Sequence, residues 1–266
     1  MKSPIPWIGG KSQLKSKIIK SFPPTESYNR FIDVFGGGGS ILFAKGKHAD
    51  LEIYNDANSD LVNFFRCLKY HSDELKKEIK YYLNSREMFL DCRERISVTG
   101  FTDIQRAAMF YVLVKTGFGA SLRTFGCNKK RLNTDNFADI EARLDGVVIE
   151  NKDFEDLIKV YDREKALFYC DPPYHKTERH YTVKFTEDDH ERHERDAALF
   201  NAFPEVTSAV CRDLNIHMFL LHVVSVCCNG SKPVPCCGKS LDGDRPIRHD
   251  ARDVFGKITA EPPRVV

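Results

Sequence analysis

The sequence predicts an α/β protein built on a parallel sheet. Two observations carry this. Residues 30–35 (RFIDVF) form an apolar, strand-like run; four glycines follow, then SILFAKG reads as helix, and LEIYN at 51–55 reads as a second strand. The same alternation returns at 146–150 (GVVIE, strand), 154–161 (helix) and 166–170 (ALFYC, strand). Composition agrees: 42% hydrophobic and 29% charged over 266 residues supports a packed core and excludes global disorder. The length suits one large domain, or a core plus one insert.

Charge narrows the function classes. Forty basic and 38 acidic residues leave a net +2, which excludes a purely electrostatic nucleic-acid coat but leaves room for a local basic groove. No apolar run reaches roughly 18 residues, so no membrane span is expected. The start MKSPIP lacks the apolar core of a secretory signal. Nine irregularly spaced cysteines then read as free thiols of a cytoplasmic protein.

Along the chain, residues 1–12 form a loop punctuated by Pro and Gly. Residues 12–20 read as a short helix with Ser12 placed to cap it, ended by Pro23-Pro24. From Ser59 to about Arg95 the pattern is helical and highly charged. Residues 103–116 form an apolar helix with Asp103 near its start, and 117–136 read as loop with the basic cluster Lys129-Lys130-Arg131.

Phe35-Gly36-Gly37-Gly38-Gly39 sits between a strand and an expected helix. Without Cβ atoms such a turn lets backbone pass close to a ligand, and the helix N-terminus points at it. Asp56 follows the next strand, where an acid usually binds ribose hydroxyls. A nucleoside-containing cofactor is the reading; the bland alternative is a tight turn with an exposed Asp. The spacing is not G-x-G-x-x-G, since Ile41 stands where a glycine is needed. Gly10-Lys11-Ser12 is not a P-loop, since Ile5 stands at its leading glycine.

Asp171-Pro172-Pro173-Tyr174 follows an apolar strand, at the end where ligands bind in parallel sheets. The prolines remove two backbone donors and leave carbonyls as acceptors. With the Asp171 carboxylate and the flat face of Tyr174, this group suits a planar base carrying an amino group. Accepting both amino protons draws the nitrogen lone pair out of conjugation and makes it nucleophilic. A rigid proline turn with an incidental acid is the alternative.

Taken together, PWIGGK (Pro6–Lys11), FIDVFGGGGSILF (Phe31–Phe43), YNDANSDL (Tyr54–Leu61), VVIENKDFEDLI (Val147–Ile158), YCDPPY (Tyr169–Tyr174) and FTEDDHER (Phe185–Arg192) resemble the Dam-like adenine-specific DNA methyltransferases. The resemblance covers residues 4–192 and keeps the family's motif order. It implies a Rossmann-like methyltransferase sheet, S-adenosylmethionine as methyl donor, no metal, and transfer to the N6 amino group of adenine in a base flipped out of double-stranded DNA. It also implies a discontinuous catalytic core (1–59 and 141–192) around a helical DNA target-recognition insert (60–140). By resemblance, Trp7 and Lys11 approach the methionine end of the cofactor, and Phe35, Gly36 and Gly38 pass under it. Asp56 binds its ribose, Asp153 and Phe154 flank its adenine, and Asp171, Pro172, Pro173 and Tyr174 hold the target base, with Asp171 also near the cofactor. Read alone, Trp7 suits a core aromatic and Lys11 a solvated first-turn lysine.

The insert residues Lys115, Arg123, Lys129, Lys130 and Arg131 are candidates for phosphate or base contact, or else a solvated loop. A monomer is expected, with a cognate restriction nuclease as a possible partner. After Arg192 the resemblance fades. Residues 216–226 (IHMFLLHVVSV) are strand-like, but the doubled cysteines at 227–228 and 236–237 match no zinc spacing. The tail 193–266 is thus atypical, its part of the sheet is doubtful, and a shifted reading frame or recombination from about residue 193 would explain it. Two other readings stand beside the enzyme: a catalytically impaired DNA- or cofactor-binding remnant, and a methyltransferase of RNA or protein glutamine. The WIGGK start and the position of the insert argue against the last.

Overall fold

A computed structural model describes residues 1–11, 13–127, 132–173, 186 and 188–192, with the backbone of 219–223. By packing the chain divides into Met1–Val226 and Cys227–Val266, and the second unit lies outside the described residues.

The sheet has five strands: β1 (Arg30–Asp33), β2 (Leu51–Asn55), β3 (Val147–Glu150), β4 (Ala166–Cys170) and β5 (Phe219–Val223), in the order β3-β2-β1-β4-β5. The first four are parallel; β5 runs antiparallel to β4. The sequence marked 216–226 as strand-like but carried no signal for its direction.

Alternation along the strands separates two faces. Phe31, Tyr54, Val147, Leu167 and Tyr169 point to one apolar cluster. Ile32, Val34, Ile53, Ala166, Phe168 and Cys170 point to the other, covered by Phe154, Leu157 and Ile158 of α7 (Phe154–Tyr161). The first face is covered by helices between β2 and β3: α2 (Ser59–Tyr70), α3 (Ser72–Ile79), α5 (Asp103–Thr116) and α6 (Phe137–Leu144). The charged stretch 59–95 is thus three helices, since α4 (Arg86–Arg95) follows α3 and packs on the outer side of α5 through Phe89 and Cys92. Helix α5 is buried from Ala107 to Val114, and its start is fixed by a reciprocal cap between Thr102 and Gln105. These helices therefore share a core with the sheet. At the N-terminus α1 spans Lys15–Lys20 after Leu14, and Ser12 lies outside the described residues. The described cysteines, Cys67, Cys92, Cys127 and Cys170, are free thiols. Among the described residues no helix is long and apolar enough to cross a membrane.

One expectation fails. The segment after the glycines is not an α-helix; it makes a single 3-10 turn at Leu42–Ala44 and becomes extended at Lys45. Its carbonyls are taken by a side chain. Arg143 of α6 donates to Leu42 O (3.0 Å) and Lys45 O (3.1 Å) and forms a two-pronged pair with Glu52 of β2 (2.6 and 2.9 Å). Glu52 also accepts from the His48 amide at 2.9 Å. The Arg143 and Glu52 side chains are only 7% and 4% exposed, so neither charge is solvated if the other is removed. Glu52→Gln or Arg143→Met is expected to lower unfolding free energy by about 3–5 kcal/mol in urea titrations, and the Glu52→Leu/Arg143→Met pair by less than the sum.

Candidate active site

Strand order sets the place of the site. The chain leaves β1 toward β2 on one side, and β4 returns to pair with the other side of β1. Loops after β1 and β4 therefore part, and a crevice opens at the carboxyl ends of the strands. Register brings those ends level: Asp33 lies beside both Tyr54 and Tyr169. A cavity of about 220 Å³ lies there.

Asn55, the last residue of β2, ties the edge together. Its amide donates to Val34 O (2.9 Å) and Lys152 O (3.1 Å), and its carbonyl oxygen accepts from the Lys152 amide (2.9 Å). Next to it, Asp56 turns back to the glycines: it accepts from the Gly37 amide at 2.9 Å and the Asn58 amide at 2.8 Å. Asn58 then caps α2. Withdrawal from bulk water pushes the Asp56 carboxyl up to about 6, against the pull of those two amides.

The glycines serve the protein's own rings as well as the cavity. A Cβ on Gly36 would lie 2.3 Å from the Tyr54 ring, whose hydroxyl donates to Gly37 O at 2.7 Å. Gly37 has φ +50° and faces Trp7, and a Cβ on Gly38 would lie 2.9 Å from Trp7 Cβ. The turn thus has no room for side chains, because Trp7 and Tyr54 already pack against it. Trp7 also meets Phe110 of α5, with ring centres 5.9 Å apart.

Lys11 reaches across the crevice. Its Nζ donates to Gly9 O at 2.9 Å and lies 2.5 Å from Asp171 Oδ2, with both side chains largely buried. On the opposite wall Phe35 and Phe154 lie 5.7 Å apart, and Asp153 caps α7 by accepting from the Glu155 amide at 3.0 Å.

Of the residues singled out by sequence, Trp7, Lys11, Phe35, Gly36, Gly38, Asp56, Asp153, Phe154, Asp171 and Pro173 line this one cavity. Pro172 is buried and is not among the lining residues. Lys115, half-buried near the end of α5, and Arg123, exposed on the following loop, are not among the lining residues. Tyr174, Lys129, Lys130 and Arg131 lie outside the described residues. The sequence reading missed Asp33, Ser40, Asn55, Lys152 and Asp189, which also line the cavity. Asp33 is the most telling. It is 1% exposed, neither carboxylate oxygen has a hydrogen-bond partner among the described residues, and burial first, then Asp171 and Asp56, raises its pKa well above the ordinary range. Its signal was present: an acid inside the apolar run RFIDVF. Among the described residues no cluster of three or more His, Cys, Asp or Glu side chains could hold a metal ion.

Trp7 is the sole tryptophan of the chain. Its fluorescence therefore reports on the glycine turn. Gly38→Ala is expected to displace the indole and red-shift its emission, with a stability loss of about 1–3 kcal/mol in urea titrations.

A family model for D12 class N6 adenine-specific DNA methyltransferases matches residues 7–218, well past the point where the motifs legible by eye end. The type II methyltransferase M1.LlaDCHI of Lactococcus lactis is 27% identical over 186 residues, covering 63% of this chain and 64% of that protein. The DNA adenine methylase of Haemophilus influenzae is 26% identical over 190 residues, covering 63% and 62%. The DNA N-6-adenine-methyltransferase of Escherichia phage P1 is 28% identical over 182 residues, 63% of this chain but 23% of that longer protein. The matched part of this chain thus spans less than two thirds of each of these relatives' own lengths. With four of its strands parallel, a crevice at their carboxyl ends, and a family model matched across most of its length, the chain belongs to the D12 class of N6 adenine-specific DNA methyltransferases.

Proposed function

We propose that this chain transfers a methyl group from S-adenosylmethionine to the N6 amino group of adenine in double-stranded DNA, acting on a base flipped out of the helix. One observation carries the reading. A single cavity gathers the N-terminal loop, the glycine turn, Asp56, the start of α7 and the Asp171 turn, although they come from distant parts of the sequence.

The residues present fit this donor. A buried acid with no hydrogen-bond partner among the described residues, Asp33, suits an ammonium group that would satisfy and ionise it. Asp56 is held by two backbone amides and faces the cavity as an acceptor for sugar hydroxyls. Phe35 and Phe154 offer apolar faces to a flat ring. When bound, S-adenosylmethionine supplies an electrophilic methyl on a good leaving group, so positioning dominates the chemistry. Lys11 fixes the Asp171 carboxylate across the crevice. Asp171 and a carbonyl of the Pro172-Pro173 pair accept the amino protons of the target base, and Tyr174 stacks on its ring, offsetting part of the few kcal/mol of extrusion.

In the same proposal, residues 60–140 carry target recognition. Lys115 and Arg123 lie at the end of α5 and on the loop after it, with Lys129, Lys130 and Arg131 following in sequence. The Phe110–Trp7 contact ties that helix to the cavity wall. Three relatives bear type II methyltransferase names, which supports a modification role beside a restriction nuclease. The impaired-remnant reading finds no support among the described residues.

The deciding experiment incubates the protein with labelled S-adenosylmethionine and unmethylated DNA, then digests the DNA. Methyladenine is expected, and Asp171→Ala is expected to lose it. Cofactor binding without methyladenine would leave only a binding remnant. Asp56 adds a pH test. Its pKa of about 6 in the fold exceeds the ordinary 3.8, so its contribution to stability is complete below about pH 3.8 and is lost as pH rises through 6. A donor hydroxyl favours the ionised form and opposes that trend. Affinity for S-adenosylmethionine is therefore expected to rise between about pH 5 and 7 with proton release, measured by calorimetry, and Asp56→Asn to flatten the part of the rise not due to Asp33.

A further inference from the structure

We propose that Arg192 is a positioning residue that latches the Asp153–Phe154 wall of the cavity and so sets affinity for the nucleoside end of the ligand without touching it. The proposal rests on the methyltransferase reading above. It begins with an excess of acid. Asp153 and Glu155 at the start of α7, and Asp188 and Asp189 on the helical turn 188–192, converge on one place. Lys159 meets Glu155 at 2.6 Å from within α7, but without Arg192 the carboxylates of Asp153, Asp188 and Asp189 repel and the turn would part from α7.

Arg192 meets all four. Its guanidinium donates to both Asp153 oxygens at 3.2 Å, to Glu155 at 3.0 Å and to Asp189 at 2.5 Å, and its Nε lies 3.8 Å from Asp188. The same plane lies 4.8 Å from the centre of the Phe154 ring, which also meets Phe35. Asp189 is committed as well. Its second oxygen accepts from the Thr186 amide and hydroxyl at 2.7 and 2.8 Å, which fixes the turn. Both Asp153 and Asp189 line the cavity, while Arg192 is not among its lining residues. One fork therefore orients a wall residue on α7, a wall residue on the turn, and the aromatic ring between them. A lysine would keep the charge but lose the fork and the stacking plane.

The test is a split between binding and turnover. With S-adenosylmethionine as varied substrate, Arg192→Ala is expected to raise KM about tenfold and leave kcat within about twofold. Adenosine, which carries only the nucleoside end, should lose competitive affinity by the same factor. Arg192→Lys should recover part of the loss. A general folding defect would instead lower kcat and active fraction, so melting temperature is measured for both variants, and Arg192→Lys decides if the alanine variant is unfolded. Unchanged KM in the variants, or a fall in kcat alone, overturns the latch while leaving the methyltransferase reading intact. A wild-type protein that binds neither S-adenosylmethionine nor adenosine overturns that reading, and the latch with it.

Discussion

The side-chain amide of Asn55 is the tie on which the site depends. A parallel sheet brings strand ends level but does not hold the loops beyond them. Asn55 bonds to the carbonyl after β1 and to the backbone after β3, so three chain segments leave the sheet in fixed directions. Asp56 then takes the Gly37 amide, and the glycine turn is set against β2. Asn55 is buried and its partners satisfy it, which makes these bonds specifying rather than merely tolerated.

The glycine turn shows how one structural device replaces another. Its expected helix would have offered aligned amides and a dipole to a ligand. The chain instead turns once and runs extended, and the Arg143 guanidinium caps the carbonyls that a helix would have used internally. What lines the cavity is individually held: Asp56 takes the Gly37 amide and the Trp7 indole packs across Gly37 and Gly38, while the buried Tyr54 hydroxyl donates to Gly37 O. Such a turn is rigid because aromatic rings fill the space that side chains would need.

The helices between β2 and β3 have two roles. Their inner surfaces complete the sheet's core, so that α5 is as buried as a central strand. The end of α5 and the loop after it carry Lys115 and Arg123. Because Phe110 of α5 meets Trp7, the segment proposed to read DNA and the wall of the cavity rest on the same packing. Close-packed interiors pass displacement along such contacts.

Much of this was legible in the sequence. Strands LEIYN and ALFYC and the helices at 103–116 and 154–161 could be read to the residue, because apolar period and turn chemistry are local properties. Motif order located the cavity residues from Trp7 to Asp171. The helix after the glycines was misread, because Arg143, about a hundred residues away, takes its carbonyls. The loneliness of Asp33, the pairing of Lys11 with Asp171 and the four carboxylates around Arg192 were also out of reach. Each depends on which side chains distant in sequence come together in space, as Lys11 with Asp171 and Asp153 with Arg192, and no periodicity records that. The sequence by itself determined which groups are available for chemistry. The tertiary structure decided which of them meet, because burial and charge act through space and not along the chain.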